Sequence, residues 1–545
     1  MSPEEKSRRR KQARKSGNRP DQPTATLSKA LTVTLAIAIL ALALAVRLYG
    51  INSAPLWHDE AYTLLAAELP PAQIVDLLKH DSGPPLYYFL LHYWGVSLFE
   101  ESELAVRSLS TLFSILLIAG IFWAGQRLYS TEAGLLAALI AATSPIQIHY
   151  SQQVRMYTLL PLVSLASIYF LVRYLQTSQR RYIALCAVAT ILCLYTHSFT
   201  FFLLPVHLTL ILFEGGRQKR WKDLAVMYAV VGFSYLPWLP VFLLQLKNKD
   251  PIAWFSLFWQ DWGPLEAVAW TLSSFSPGGA QPLIVDGFNV PAFGRVGPAC
   301  FFGVLVVAGV AHLIKTRWSR DRLGALCFSA YMIVPLACSV ISSVLISPNY
   351  LAGRVDQMVF PAFCVIAALG ICAVPSWNLR WPMVGTMLIL SALTLQQFYG
   401  RDFAWGAREV SDFISARIQS GDPIVCTGLT RTSLTYYMRR HGGRAKMFSY
   451  PRDTAQHLGY QNNIKLLENP DYLAAEAQGI INDMRSASAP GGRFFVVLGY
   501  ALMVNKPLWE KLSATADLEL LEPPSYVGPQ NGNNGVVVLR YQFKK

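Results

Sequence analysis

The chain has 545 residues, 53% of them hydrophobic and only 15% charged. Soluble domains carry about 25% charged residues, and the apolar residues here come in long blocks, which excludes a disordered chain and a purely soluble enzyme. The formal charge of +14 does not point to nucleic acid, because eight basic residues fall in the first 19 positions and many others sit in short gaps between apolar blocks. A polytopic membrane protein carries its cytoplasmic charge in this way.

Residues 1–28 read as a disordered basic cytoplasmic tail. The apolar run from Ala30 to Leu48 is long, lacks a cleavage site and continues into further spans, so it reads as a signal anchor. Spans are then expected at 105–127, 133–149, 155–173, 181–196, 199–213, 222–245, 294–314, 323–346, 353–374 and 380–398. That gives about eleven in all, with eleven to thirteen as the range. With the N-terminus in the cytoplasm, the inner loops hold Arg127, Arg173, Arg180, Arg181, Arg217, Lys219, Arg220, Lys222, Lys315, Arg317, Arg320, Arg322 and Arg380. The outer loops hold few basic residues for their length, as the positive-inside rule requires. This parity demands that PPLYYFLLHYWGVSLF at 84–99 does not cross. It is shorter than the ~20 residues a span needs and opens on two prolines, so it is expected to lie in the interface.

After residue 400 the composition becomes mixed and charged. Strands are expected at 423–427, 493–498 and 534–540, with helices at 404–418 and 430–440. The expected fold class is an α-helical polytopic membrane protein with a C-terminal extracytoplasmic α/β domain. Its parts are the tail 1–28, a transmembrane domain 29–400 with outer loops 50–104 and 246–293, and the outer domain 401–545. The location expected is the plasma (inner) membrane. The eight cysteines show no metal-type spacing.

The strongest chemical feature is Trp57-His58-Asp59-Glu60, directly after the first span. Read as function, an extended or turn conformation would send the two carboxylates apart, one as general base and one holding a substrate hydroxyl; read as structure, it is a polar loop start. His80 and Asp81 precede Gly83-Pro84-Pro85, a rigid turn that aims them at the same cleft or merely caps a helix. The segment SPIQIHYSQQVRMYTL carries Tyr150 and Arg155, and Arg354 repeats the pattern of an arginine at the outer end of a span. Such an arginine needs an anion, either a phosphate group or a nearby carboxylate such as Asp356 for Arg354. His197 stands at an outer turn facing the cleft, and with His80, Asp81 and Tyr150 it is a candidate for binding the donor phosphate or substrate. Trp254, Trp259, Trp262 and Trp270 read most simply as interface anchors.

The order WHDEAYT, GPPLYYFL, LAVRSLSTLFSILL and RLYSTEAGLLAALIAATSPIQIHYSQQVRMYTLL resembles the multispan glycosyltransferases of the GT-C class. The nearest groups are the bacterial family related to protein O-mannosyltransferases (glycosyltransferase family 39-like) and the aminoarabinose transferases of lipid A. The resemblance runs over roughly 30–215 and returns at 294–400, where NYLAGRVDQMVFPAF looks like the class's arginine-containing late span. It implies a GT-C fold and transfer of a sugar from a polyprenyl-phosphate donor to a lipid, glycan or protein acceptor at the outer membrane face. It maps the catalytic base to Asp59, with Glu60 beside it, and carrier-phosphate contacts to Arg155 and Arg354. Gln153 stands where the family often has an acidic residue, so ligand spacing gives a divalent cation no support, and no cofactor is assigned. Membrane lipids are expected partners and nucleic acid is not. The rival reading is a multispan transporter or flippase of a lipid-linked or anionic substrate, which would carry paired broken helices in two halves.

Overall fold

A computed structural model describes residues 27–96, 102–214, 220–256, 259, 263–277, 292–318, 321–400, 406–442, 445–452, 458–488, 491–499, 502–527 and 536–544. The basic tail, apart from Leu27 and Ser28, lies outside them, as does Trp262.

The first apolar run forms α1 (Lys29–Leu48), capped by the Ser28 side chain. Three short helices follow: α2 (His58–Ala67), α3 (Pro71–Leu78) and α4 (Leu86–Leu91), the last continuing as a π turn over His92–Val96. Six plus five residues rise about 16 Å, half the ~30 Å of a bilayer core.

The chain then runs through α5 (Glu103–Leu128), α6 (Thr131–Thr143), α7 (Pro145–Ser151), α8 (Leu159–Thr177), α9 (Arg180–Thr196) and α10 (Leu203–Glu214). It continues through α11 (Trp221–Tyr235), α12 (Leu239–Lys247), α13 (Pro264–Phe275), α14 (Ala292–Arg317), α15 (Arg322–Leu345), α16 (Phe360–Cys372) and α17 (Trp377–Tyr399). All eleven expected segments are helical, but the count of eleven spans is not supported. Among the described residues six helices are long and apolar enough to cross a membrane, or eight if two bent pairs each count as one. The bends are 62° between α6 and α7 and 68° between α11 and α12. Pro145 and Pro237 sit at these breaks, where a proline cannot donate to the preceding turn and pushes its neighbour out of helical geometry. Of the other three, α9 has 17 residues, the Ser198–Glu214 helix is also short, and α17 is diluted by Asn378, Arg380, Gln396 and Gln397.

At the centre stands α16, buried on every side from Phe360 to Ile371 and packed against α14, α6 and α15. A helix apolar all round belongs in such a position. Its crossing with α14 depends on two glycines: a Cβ on Gly309 would meet the Ile366 carbonyl oxygen at 2.1 Å, and one on Gly370 the Leu305 oxygen at 2.0 Å.

The C-terminal part is α/β. It contains α18 (Ala407–Ser415), β1 (Ile424–Thr427), α19 (Thr430–Arg440), β2 (Met447–Tyr450), α20 (Asn463–Leu467), α21 (Pro470–Ala487), β3 (Arg493–Leu498), α22 (Leu502–Ala514), β4 (Leu518–Leu520), β5 (Ser525–Val527) and β6 (Val536–Phe543). Strand order is β2-β1-β3-β6-β4, with β5 also on β6. The first three strands are parallel, and β6 is antiparallel to its neighbours. Along β3, Phe494, Val496 and Leu498 enter the core under α21 and α22, while Phe495 and Val497 enter that under α18 and α19, as the period of two requires. The three expected strands are present; β4 and β5, of three residues each, are too short to register as patterns in the sequence, and β2, as short as β1, is not marked there.

Candidate active site

Three chain segments meet at one end of the helical domain. The first is the N-terminus of α2, which begins at His58 with Asp59 and Glu60 in its first turn. The WHDE segment is therefore helical rather than extended, and the two neighbouring carboxylates diverge because successive helical residues point about 100° apart. The second is the turn after α7 that carries Arg155 and Tyr157. The third is the turn before the 3-10 segment Val355–Val359, where Gly353 has φ +78°. That left-handed conformation suits a residue without Cβ, and a Cβ there would also crowd the Ser274 hydroxyl at 3.0 Å.

Asp59 is the meeting point. Its Oδ2 accepts from Arg354 Nη2 at 2.6 Å and lies 4.0 Å from Arg155 Nη2, while His58 Nε2 is 3.0 Å from Oδ1. Burial pushes the Asp59 carboxyl up, but Arg155, Arg354 and His58 outweigh it and hold the group well below the usual carboxylate range. The α2 N-terminus favours the same charged form. Arg354 also donates to the Tyr157 hydroxyl at 2.6 Å. Its guanidinium lies over three rings, 5.3 Å from the centre of Trp254, 5.5 Å from Tyr157 and 6.0 Å from Trp57. Arg155 donates to Thr63 Oγ1 at 3.0 Å, and its buried Nε has no hydrogen-bond partner among the described residues. Two guanidiniums thus share one carboxylate, with unspent donor capacity.

Glu60 is engaged elsewhere. It is 2% exposed, takes Arg107 Nε and Nη2 at 3.0 and 2.9 Å, and accepts the Val154 N–H at 3.0 Å. Arg107 also donates to the Ile51 and Ala54 carbonyls. Glu60 therefore ties α2 to α5 and to the Arg155 turn, buried and paired with Arg107. Nothing in the sequence marks Arg107, one arginine in an apolar span, as its partner.

Tyr150 supports the site from behind: its hydroxyl donates to the Gly353 carbonyl at 2.7 Å, and its ring lies 4.5 Å from that of Tyr157. The His197 ring lies 6.4 Å from Tyr157 and accepts the Phe199 N–H on Nδ1. Burial, then Arg155 and Arg354, push its pKa down to about 3, so it is neutral. Asp81 stands at the rim, receiving the Ser82 N–H at 2.7 Å and the Tyr88 hydroxyl at 3.5 Å, with Tyr62 on it as well. His80 is exposed and meets Asn248 only through its backbone carbonyl; the sequence pairs it with Asp81, but the turn sends it outward. Asp356 does not pair with Arg354. It accepts from Thr271 Oγ1 at 2.5 Å and from the Gly353 N–H at 2.9 Å, which fixes the turn that aims Arg354. Trp254, read from sequence as an anchor, is part of the cage, and Trp259 donates to the Tyr350 carbonyl at 2.7 Å. Gln153 turns to the His149 ring at 2.8 Å. Among the described residues no three His, Cys, Asp or Glu gather to hold a metal ion.

A family model described as dolichyl-phosphate-mannose-protein mannosyltransferase matches residues 82–241. ArnT from Cupriavidus metallidurans in the apo state superposes with a TM-score of 0.58 at 14% identity, over 93% of this chain and 98% of that one. The same protein bound to undecaprenyl phosphate gives 0.58 at 14% identity, over 94% and 97%. The Archaeoglobus fulgidus oligosaccharyltransferase in the apo form gives 0.55 at 12% identity, over 87% and 70%. The chain shares its fold with these two proteins. No curated protein matches the chain. At these identities the likeness extends to the fold, and the chemistry has to be argued from the residues.

Proposed function

We propose that the chain is a glycosyltransferase that moves a sugar from a polyprenyl-phosphate donor to a hydroxyl of a lipid, glycan or protein acceptor. Arg155 and Arg354 hold the donor phosphate, and Asp59 is the general base. The observation that carries this reading is the convergence of two largely enclosed guanidiniums on one carboxylate inside an aromatic cage, at the end of a membrane helix bundle. The bond broken is between the anomeric carbon and a phosphate oxygen. That leaving group departs as an anion, so it needs positive charge rather than an acid. The acceptor hydroxyl loses its proton to Asp59 and attacks from the opposite face, which inverts the anomeric centre.

With no donor bound, the arginines neutralise Asp59 and make it a weak base. A phosphate on Arg155 and Arg354 takes over part of their charge, and the Asp59 carboxylate gains basicity as the donor arrives. Glu60 and Tyr150 position the loops, His197 offers a neutral wall, and Asp81 stands at the acceptor side. The same reading divides the chain into a tail 1–28, a transmembrane domain 29–400 and an extracytoplasmic domain 401–545. It places the protein in the inner membrane with a cytoplasmic N-terminus.

The bent pairs favour the transporter reading, since broken helices are what a transporter uses. The α6–α7 break, however, leads directly into Tyr150 and the Arg155 turn, so it already serves the site. Carrier release by reconstituted protein, offered undecaprenyl-phosphate sugars and membrane acceptors, tests the proposal. Release that requires an acceptor supports it; movement of the intact lipid-linked sugar across a vesicle bilayer without release contradicts it.

A further inference from the structure

The helix that presents Asp59 is held by the C-terminal domain as well as by the membrane helices. α19 packs on α2. The Tyr437 hydroxyl, buried between the two domains, accepts the Leu56 N–H at 2.7 Å and donates to Glu103 Oε1 at 2.9 Å. Leu56 is three residues before Asp59. Arg408 donates to the Asn52 carbonyl at 3.1 Å and to Glu103 Oε2 at 2.7 Å. Glu103 stands 3.6 Å from Arg107, the residue that takes both oxygens of Glu60. At the far end of α2, Arg439 Nη2 donates to both oxygens of Glu68 at 2.8 Å. The approach to Asp59 is thus gripped by Arg107 on one side and by Tyr437 and Arg408 on the other.

These contacts have different weights. The Arg439–Glu68 pair is half exposed and contributes little by itself. Tyr437 is 4% exposed, and its loss leaves a buried backbone N–H without an acceptor. A shift of α2 by a fraction of an ångström would be felt at Asp59, whose partner lies at 2.6 Å.

We propose that the C-terminal domain is a working part of the transfer site, with Tyr437 as a positioning residue that sets the place of Asp59 through the Leu56 N–H and the Glu103–Arg107–Glu60 chain. This rests on the reading of Asp59 as the base. It gives the domain a role in the chemical step, whatever acceptor it covers.

The test uses the full-length protein in lipid. Tyr437→Phe removes one hydroxyl and keeps the ring. Backbone amide exchange over 52–63 should rise, kcat should fall roughly ten- to a hundredfold as expected for a misplaced base, and undecaprenyl phosphate affinity should stay within about twofold because neither arginine is touched. Unchanged exchange in Tyr437→Phe overturns the proposal, and so does faster exchange at wild-type kcat. Faster exchange in a protein whose wild type transfers no sugar overturns the base reading instead and leaves the grip of Tyr437 on Leu56 standing.

Discussion

Asp59 owes its low proton affinity to partners that a donor phosphate would claim, and this makes its substitution informative in two directions. Asp59→Asn removes the base and also frees Arg155 and Arg354 from the carboxylate they share. Transfer should be lost while undecaprenyl phosphate binds more tightly than to wild type, measured by titration in nanodiscs; equal or weaker binding would mean that the carboxylate and phosphate do not compete. Arg354→Ala removes charge-assisted donors worth about 1.5–3 kcal/mol each, so its dissociation constant for the same lipid should rise roughly ten- to a hundredfold. His197 supplies a pH signature. Its folded pKa of about 3 lies below its ordinary 6.5, so on acidification the unfolded chain takes up a proton that the folded protein refuses. Stability is therefore full above about pH 6.5 and falls as pH drops toward 3. Asp59, also depressed, adds its own loss only below about its ordinary 3.8. The thermal midpoint should fall between pH 7 and pH 5 in wild type and fall less in His197→Gln.

At the scale of elements, α2 and its neighbours divide the two adjacent carboxylates between different tasks. Removing Arg107 leaves Glu60 buried and unpaired, a loss of about 3–5 kcal/mol, so Arg107→Ala should lower thermal stability sharply. Asp59→Asn, whose arginine partners keep partial access to solvent, should lower it less, and similar losses in both would undo the separation of roles. Much of this was legible in sequence: the apolar runs located the helices, and WHDE and the arginines at the ends of spans pointed to residues that the fold brings together. The rest was hidden for physical reasons. Pro145 and Pro237 interrupt runs that are continuously apolar, so hydropathy reads each bent pair as one span. Of the two anions the sequence offers Arg354, a phosphate or Asp356 two residues on, the second is taken away by the 3-10 turn, which sends Asp356 to the Gly353 N–H and Thr271. The partners of Glu60 and Arg354 lie 47 and 295 residues away, and only tertiary packing of α5 and α16 brings them in.

For the molecule as a whole, a buried central helix fixes the frame on which the three site segments are hung. Gly370→Ala would drive a methyl into the Leu305 carbonyl and separate α14 from α16, with an overpacking loss of about 1–3 kcal/mol; a thermal midpoint equal to wild type would place the crossing elsewhere. The C-terminal domain closes over α2 and completes the support of Asp59, so the site belongs to both parts of the chain. The proposed function gives Asp59, Arg155 and Arg354 the transfer of a sugar from a lipid phosphate. It is tested most directly by carrier release from a panel of undecaprenyl-phosphate sugars, with wild type and Asp59→Asn reconstituted side by side in the presence of membrane acceptors. Wild type should show acceptor-dependent release from at least one donor, and Asp59→Asn should show none while still binding undecaprenyl phosphate. Release by Asp59→Asn at the wild-type rate would contradict it.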